Sequence, residues 1–239
     1  MSDTLLTTSS DTFEAFPFSD RCRAVFDRGE HLLIGVSPGN SYFSHQRLTE
    51  LIRWAREFFE SVDVVHADLH VDAQYRAAGG PVDQAERRAA KEVKATRRRI
   101  QRALAEAGVD GVRAHALSDF RAEPVYRRLH GRVLDALATD PVLRSATEGM
   151  ARGFLRARLP DGVEPAPAQL AAGVEYIAAE LPFFLDTPAL LRVGSSISCY
   201  HLELPLTPVL FGGGEGLRAV PAQGYAVVRP LTAARPVAA

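Results

Sequence analysis

The chain has 239 residues, 46% hydrophobic and 24% charged, with a formal net charge of −1. That length fits one large domain or two small ones with a substantial core, and the global charge selects no partner. Two cysteines, Cys22 and Cys199, do not suggest a disulfide framework, and no apolar run approaches the roughly 18–20 residues of a membrane span. The opening MSDTLLTTSSDTFEAF lacks a basic region followed by an apolar one, so it is not a secretory signal and a cytoplasmic protein is expected.

Residues 1–14 are polar and Ser/Thr-rich and read as a flexible tail, leaving 15–239 as a single catalytic domain. EHLLIGVS (30–37) is a short apolar run ending at Gly and Pro, a buried strand. HQRLTELIRWAREFFE (45–60) places Leu48, Leu51, Ile52, Phe58 and Phe59 at helical spacing, and VDVVHADLHVD (62–72) reads as a second strand. Strand, helix, strand in so short a span is a βαβ unit and favours a parallel sheet in an α/β fold. AAGGP (77–81) breaks the chain, and a long helix is expected over 82–107, stopped by Gly108. VRAHAL (112–117) reads as a third strand, 123–158 as helix broken near Asp140-Pro141, and 169–181 as a helix ended by Pro182. SISCYHLEL (196–204) and GYAVVRP (224–230) read as further strands, joined by the Gly-rich TPVLFGGGEGL. That connection lacks the Lys-Ser/Thr of a P-loop and reads as a flexible loop.

Three constellations carry chemistry. Gly35-Val36-Ser37-Pro38-Gly39 is a literal G-x-S-x-G, the nucleophile elbow of α/β-hydrolases. Such enzymes normally place several strands before the serine, whereas one fits here, although Asp186 and His201 follow in the required order. A second reading has these residues merely shaping the loop and capping the next helix. A third is a ligand site. Asn40, Ser41 and Tyr42 continue a polar loop at the carboxyl end of a parallel strand, where open α/β sheets bind ligands.

Residues 87–102 hold eight Lys/Arg and one Glu, a local charge of +7 that leaves −8 for the rest of the chain. At about 100° per residue, Arg87, Lys91, Lys94, Arg98 and Arg102 form one stripe, flanked by Arg88, Arg97 and Arg99. Ala89, Val93, Thr96, Ile100 and Leu104 lie opposite. Solvated faces usually mix signs, because like charges at i,i+4 repel. An unbalanced stripe points to a polyanion such as nucleic acid. The third constellation is Tyr176 and Glu180, four apart on one helical face, either a surface pair or a site for a cation such as a substrate ammonium. Tyr200 and His201 are adjacent on the strand reading, so one would face the pocket and the other brace it.

Together, GVSPGNSYFS (35–44), VDVVHADLHVD, the basic helix, YIAAELPFF (176–184) and SSISCYHLELP (195–205) resemble the tRNA-dependent cyclodipeptide synthases in order and spacing over nearly the whole chain. The resemblance implies a Rossmann-like domain with a mostly parallel central sheet flanked by helices, similar to the catalytic domain of class I aminoacyl-tRNA synthetases. It implies two aminoacyl-tRNAs as substrates, a 2,5-diketopiperazine product, a monomer, and neither cofactor nor metal. Residue by residue, Ser37 matches the nucleophile, Gly35 a backbone position beside it, Tyr176 and Glu180 the pair that holds the aminoacyl ammonium, and Tyr200 a proton-transfer residue. Asn40 with Tyr200 and His201 implies the Asn-Tyr subfamily, and the basic stripe the tRNA-binding helix. By rough alignment Leu33, Val65, Leu117, Phe183 and Ser198 line the first aminoacyl pocket. Arg156 and Arg158 fall where a second pocket is expected; either one of them faces it and favours an acidic second residue, or both are solvated or touch tRNA phosphate. The remaining rivals are a serine hydrolase using Ser37 with His201 and an idle tRNA-binding module. His66, His70, His115 and His130 read as structural or surface residues.

Overall fold

A computed structural model describes residues 12–156, 159–160 and 162–231. Among them runs a six-stranded sheet in the order β1-β6-β5-β2-β3-β4. Its strands are β1 (Phe13–Pro17), β2 (His31–Val36), β3 (Ser61–His66), β4 (Val112–Ala116), β5 (Ser196–Tyr200) and β6 (Gln223–Pro230). All neighbours are parallel except the antiparallel β1–β6 pair. Of the 1–14 tail, residues 1–11 lie outside the described residues. Phe13 and Glu14 belong to β1, because FEAFP buries Phe13 against Trp54 and pairs with β6.

From β2 the chain adds β3 and then β4 on one side, and later places β5 and β6 on the other. The strand order therefore reverses between β2 and β5, the switch point where open parallel sheets leave a crevice above their carboxyl ends. Ser37 follows β2 and Tyr200 ends β5, so both sit at this crevice.

Helices α2 (His45–Phe58) and α4 (Val82–Ala107) cover one sheet face, where Leu32, Ile34, Val62 and Val64 meet Leu48, Ile52, Trp54 and Ile100 in a dry core. The expected 82–107 helix is present with those bounds. Gly108 ends it with φ +63°, a left-handed turn that favours glycine, and its N–H donates to the Leu104 carbonyl (3.3 Å). The opposite face carries α5 (Pro124–Thr139), α6 (Pro141–Arg156) and α7 (Pro167–Leu191), confirming a break at Asp140-Pro141. Gly173 of α7 lets that helix approach Ala151 of α6, since a Cβ there would lie 2.9 Å from the alanine methyl. Shorter helices are α1 (Asp20–Phe26), α3 (Val71–Ala77) and α8 (Thr207–Phe211), the last inside the expected 207–217 loop.

Two expectations are corrected. The second strand stops at His66. His70 adopts left-handed backbone (φ 58°) and α3 begins at Val71, so β-branched Val71 packs as helix. The 169–181 helix does not stop at Pro182; α7 continues to Leu191 and kinks at Asp186 (φ −157°, ψ 62°). Burial of Leu181, Pro182, Phe183 and Leu185 outweighs the hydrogen bond the proline removes. Beyond the kink, Thr187 N–H donates to Gln223 Oε1 (3.0 Å) and Ala189 N–H to Asp186 Oδ1 (3.0 Å). Glu180 consequently sits mid-helix, and opposition to the helix dipole does not govern its charge.

Beneath the crevice, on the α7 face, lies a polar cluster absent from the sequence reading. Asp63 is fully buried and accepts from Arg113 Nε (3.0 Å) and Nη2 (2.6 Å), and both His115 Nε2 (2.8 Å) and His31 Nε2 (3.0 Å) bond to it. His31 Nδ1 in turn shares a hydrogen bond with Ser196 Oγ (2.7 Å). Burial alone would raise the Asp63 carboxyl, but these donors together hold it well below the usual carboxylate range. The cluster ties β2, β3, β4 and β5 together under the site. Asp63→Asn removes the charge that the buried His31 and the more exposed His115 and Arg113 share, and should cost about 1–2 kcal/mol, read as a lower urea midpoint at an unchanged m-value.

Candidate active site

The loop after β2 is held by its own side chains. The Asn40 N–H donates to the Ser37 carbonyl (3.2 Å) across a turn in which Gly39 has φ +73°. Asn40 is fixed at both ends: Oδ1 accepts from Tyr42 N–H (2.9 Å) and Nδ2 donates to the Tyr200 hydroxyl (3.0 Å). Ser44, not Ser37, caps α2, accepting from Arg47 N–H (3.2 Å). The cap reading of Ser37 fails, and Ser37 instead lines a pocket at the crevice.

That pocket encloses about 610 Å³ including its mouth. Ser37, Glu180 and Tyr200 line its polar end, and Leu33, Val65, Leu117, Phe183 and Ser198 its walls. A Cβ at Gly35 would meet nothing within 4 Å, so the missing side chain is pocket space. Ser198 Oγ accepts from Gln223 Nε2 (3.1 Å), so the polar atom on the wall is already engaged from behind. The same pocket also uses Met150, Phe184, Cys199 and Leu204, which the sequence reading omits. Phe184 is adjacent to Phe183 in YIAAELPFF and could have been included. Met150 carries no sequence signal, because its position depends on how α6 docks on α7.

Tyr176 is 7% exposed, and its hydroxyl is buried without a well-formed hydrogen bond, with Glu180 and Ser37 as polar neighbours. Burial, reinforced by the Glu180 charge, holds the phenol well above its ordinary value. Burial likewise raises Glu180 to about 7, offset in part by its contact with Tyr176. Tyr200 is pushed up to about 12, chiefly by burial and then by Glu180, against lowering contacts from Asn40 and Ser37. At neutral pH the site thus offers two protonated phenols, a serine hydroxyl, and a carboxyl poised between its two states. Such a set can bind an ammonium and move its proton. Cys199 offers no rival nucleophile, since burial pushes its thiol up to about 12.

Other sequence candidates lie elsewhere. His201 is beyond β5 and does not line the pocket. Its ring stacks on Tyr42 (centroids 3.9 Å apart, 12° between planes), with Arg47 on the tyrosine's ring at 4.6 Å. Burial, then Arg47, lowers His201 to about 4, and its Nδ1 is buried without a partner. Asp186 bonds Ala189, so no carboxylate orients this imidazole and no Ser-His-Asp relay forms. His201 thus packs on the Ser37 loop through Tyr42 and is not among the residues lining this pocket. Arg156 does not line this pocket: its exposed guanidinium pairs with Glu164, which Arg152 also contacts (3.3 Å). Arg158 lies outside the described residues. His70 pairs with Glu175 (3.0 Å), and His130 stacks on Tyr126. No cluster of three or more His, Cys, Asp or Glu side chains able to hold a metal occurs among the described residues. No helix among them is long and apolar enough to cross a membrane.

The α4 stripe faces outward. Arg87, Arg88, Lys91, Lys94, Arg97, Arg98 and Arg102 are exposed, while Ala89, Thr96 and Ile100 are buried. Arg99 is half-buried and donates to the Phe43 carbonyl (3.0 Å), anchoring the helix to the Ser37 loop, and Arg88 sits on the Tyr75 ring. Among the described residues no stripe cation enters an ion pair.

A Rossmann-like sheet with a serine and a carboxyl at its switch point, beside a strip of unneutralised cations, is an arrangement suited to acyl transfer from a nucleic-acid-linked substrate. Comparison with known proteins agrees. The family model described as "Cyclodipeptide synthase" matches residues 13–230, and the chain belongs to that family, whose members are transferases acting on aminoacyl-tRNA. It is 40% identical over 225 residues to the cyclo(L-tyrosyl-L-tyrosyl) synthase of Mycobacterium tuberculosis, covering 93% of this chain and 78% of the relative. It is 40% identical over 213 residues to the cyclo(L-leucyl-L-phenylalanyl) synthase of Streptomyces noursei, covering 88% and 89%. A solved Mycobacterium tuberculosis structure, described as demonstrating that cyclodipeptide synthetases are related to type I tRNA synthetases, superposes with TM-score 0.84 at 39% identity, covering 94% and 96%.

Proposed function

We propose that this cyclodipeptide synthase works by a ping-pong route through Ser37. Ser37 Oγ attacks the ester carbonyl of a first aminoacyl-tRNA, and the departing ribose hydroxyl takes the proton. The resulting serine ester keeps the activation of the tRNA ester, so the route needs no ATP. The amine of the bound residue then attacks a second aminoacyl-tRNA, releasing tRNA and leaving a dipeptidyl ester on Ser37. The new terminal amine attacks that ester, frees Ser37 and closes the 2,5-diketopiperazine. Glu180 and Tyr176 hold the ammonium of the bound residue, and Glu180 takes its proton, because only the neutral amine is a nucleophile. Tyr200, protonated and fixed by Asn40, relays a proton between amine and serine. The Asn40–Tyr200 hydrogen bond also supports placement in the Asn-Tyr subfamily.

The observation that carries this reading is the convergence of Ser37, Glu180 and Tyr200 in one largely apolar pocket, with the buried Tyr176 hydroxyl beside Ser37 and Glu180. The relatives' names specify tyrosyl, leucyl and phenylalanyl products. The lining by Leu33, Val65, Leu117 and Phe183 supports a neutral, apolar or aromatic first residue here too. With Arg156 paired to Glu164, nothing described supports an acidic second residue. The enzyme acts as a cytoplasmic monomer, requiring neither metal nor cofactor. Expression in a bacterial host, followed by mass spectrometry of the medium, tests the reading: cyclic dipeptides accumulate with the wild-type chain and not with Ser37→Ala.

The stripe on α4 binds tRNA. Replacing Lys94 and Arg98 together by Glu weakens tRNA binding and lowers the slope of log affinity against log salt by about two, roughly one per lost phosphate contact. Filter binding across a salt series measures both. Unchanged binding would return the stripe to a solvated face.

A further inference from the structure

A second pocket, of about 450 Å³ including its mouth, opens between α4 and the edge strand β4. Its floor is made of small side chains, Ala114 and Ala116, and its rim of Arg97, Gln101 and Asp119, with His66 on its wall. His66 is 5% exposed, and its Nδ1 is buried without a partner. Burial keeps this imidazole below its ordinary value, so at neutral pH it is uncharged and can both donate and accept. Among the described residues the His115 backbone is the one hydrogen-bonding neighbour of this ring, its Nδ1 makes no well-formed bond, and the catalytic site makes no use of it.

Two neighbours give the pocket a direction. Gln101 also lines a shallow groove with Arg98 and Arg102, so the basic stripe runs into this pocket. His66 is the register partner of Val36, the residue before Ser37, one strand away across the carboxyl edge of the sheet. The pocket therefore lies between the cations of α4 and the strand that carries Ser37, on one path by which a polyanion on α4 could deliver an ester to that serine. Asp119 bears on what enters. Its Oδ2 accepts from the Ala116 N–H (2.9 Å), and its charge repels a phosphate but accepts well from an exocyclic amino group. Arg97, exposed at the mouth, suits the phosphate outside.

We infer that this pocket receives a base from the single-stranded 3′ end of the tRNA, upstream of the esterified nucleotide. The base lies on the Ala114–Ala116 floor, turns its polar edge to His66, Gln101 and Asp119, and leaves its phosphate by Arg97. Single-stranded RNA is commonly read this way, by splayed bases whose edges meet side chains. The inference rests on tRNA being the substrate.

The test is a binding cycle using two deacylated tRNAs, one intact and one lacking its three 3′-terminal nucleotides, against wild-type protein, Ala114→Leu and Gln101→Ala. Both positions are exposed, so neither substitution disturbs the core. Truncation should weaken wild-type binding about tenfold or more, the scale of one lost base contact. It should cost each variant about tenfold less than it costs wild type, because the pocket is already blocked or stripped. Truncation losses equal in wild type and both variants overturn the pocket assignment while leaving tRNA use intact. Wild-type protein that binds neither tRNA overturns the proposed function, and the pocket assignment with it.

Discussion

Ser37→Ala folds normally and loses cyclic dipeptide formation by at least about a thousandfold, the scale seen when a covalent nucleophile is removed. Its fold is spared because the loop is held by the Ser37 carbonyl, the Asn40 amide and the Ser44 cap, none of which needs the Ser37 hydroxyl. The stability change should stay within about 0.5 kcal/mol. No neighbour substitutes for the hydroxyl: the Cys199 thiol titrates near 12, and Ser198 is engaged by Gln223. Product quantified by mass spectrometry, alongside thermal melts of both proteins, checks the two halves together. A Ser37→Ala protein retaining a tenth of wild-type activity would remove the nucleophile assignment.

Glu180→Gln produces opposite changes in activity and stability. Activity falls by about 10²–10⁴-fold, the usual range for a general base, because the amide can neither pair with an ammonium nor take its proton. Stability moves the other way, and the sign follows from the raised value near 7. The folded-state value exceeds that of the unfolded chain, so the folded state favours the neutral carboxyl. Wild type therefore loses stability as pH rises from about 5 through 7, where the buried carboxylate ionises. Glutamine cannot ionise, so the melting temperature of Glu180→Gln relative to wild type should climb across that window. For wild type, kcat/KM should rise with pH along a limb near pH 7 that Glu180→Gln lacks. Equal pH dependence of melting in both proteins would show that Glu180 is not buried as a carboxyl.

Where a pattern is local, sequence and structure agree closely. The 26-residue helix α4 was legible because its apolar positions, its cationic stripe and its Gly108 stop all report the same period. The Ser37 loop was legible because an apolar run ending at Gly-Val-Ser-Pro-Gly puts a serine at a strand's carboxyl end. Signals failed where distant segments decide the outcome. Pro182 is a strong local breaker, yet α7 passes through it because Leu181, Phe183 and Leu185 are buried by elements far off in the chain. Asp63 in a β-branched run gives no hint that His31, Arg113, His115 and Ser196 will gather around it from three other strands. His201 matched a site pattern, and nothing local in the sequence shows that its ring stacks on Tyr42 at 3.9 Å, away from the residues lining the pocket. The β1 strand was hidden by the Ser/Thr-rich residues that precede it.

The central claim is that an aminoacyl group rests on Ser37 between two tRNA-dependent steps. Purified protein is mixed with a pool of aminoacyl-tRNAs carrying heavy-isotope amino acids, quenched in acid and digested, and the added mass is located by tandem mass spectrometry. The account predicts a labelled aminoacyl group on Ser37 itself, present in wild type within the first turnovers and absent from Ser37→Ala. Label on any other residue, or cyclic dipeptide forming with no labelled intermediate at Ser37, would contradict it.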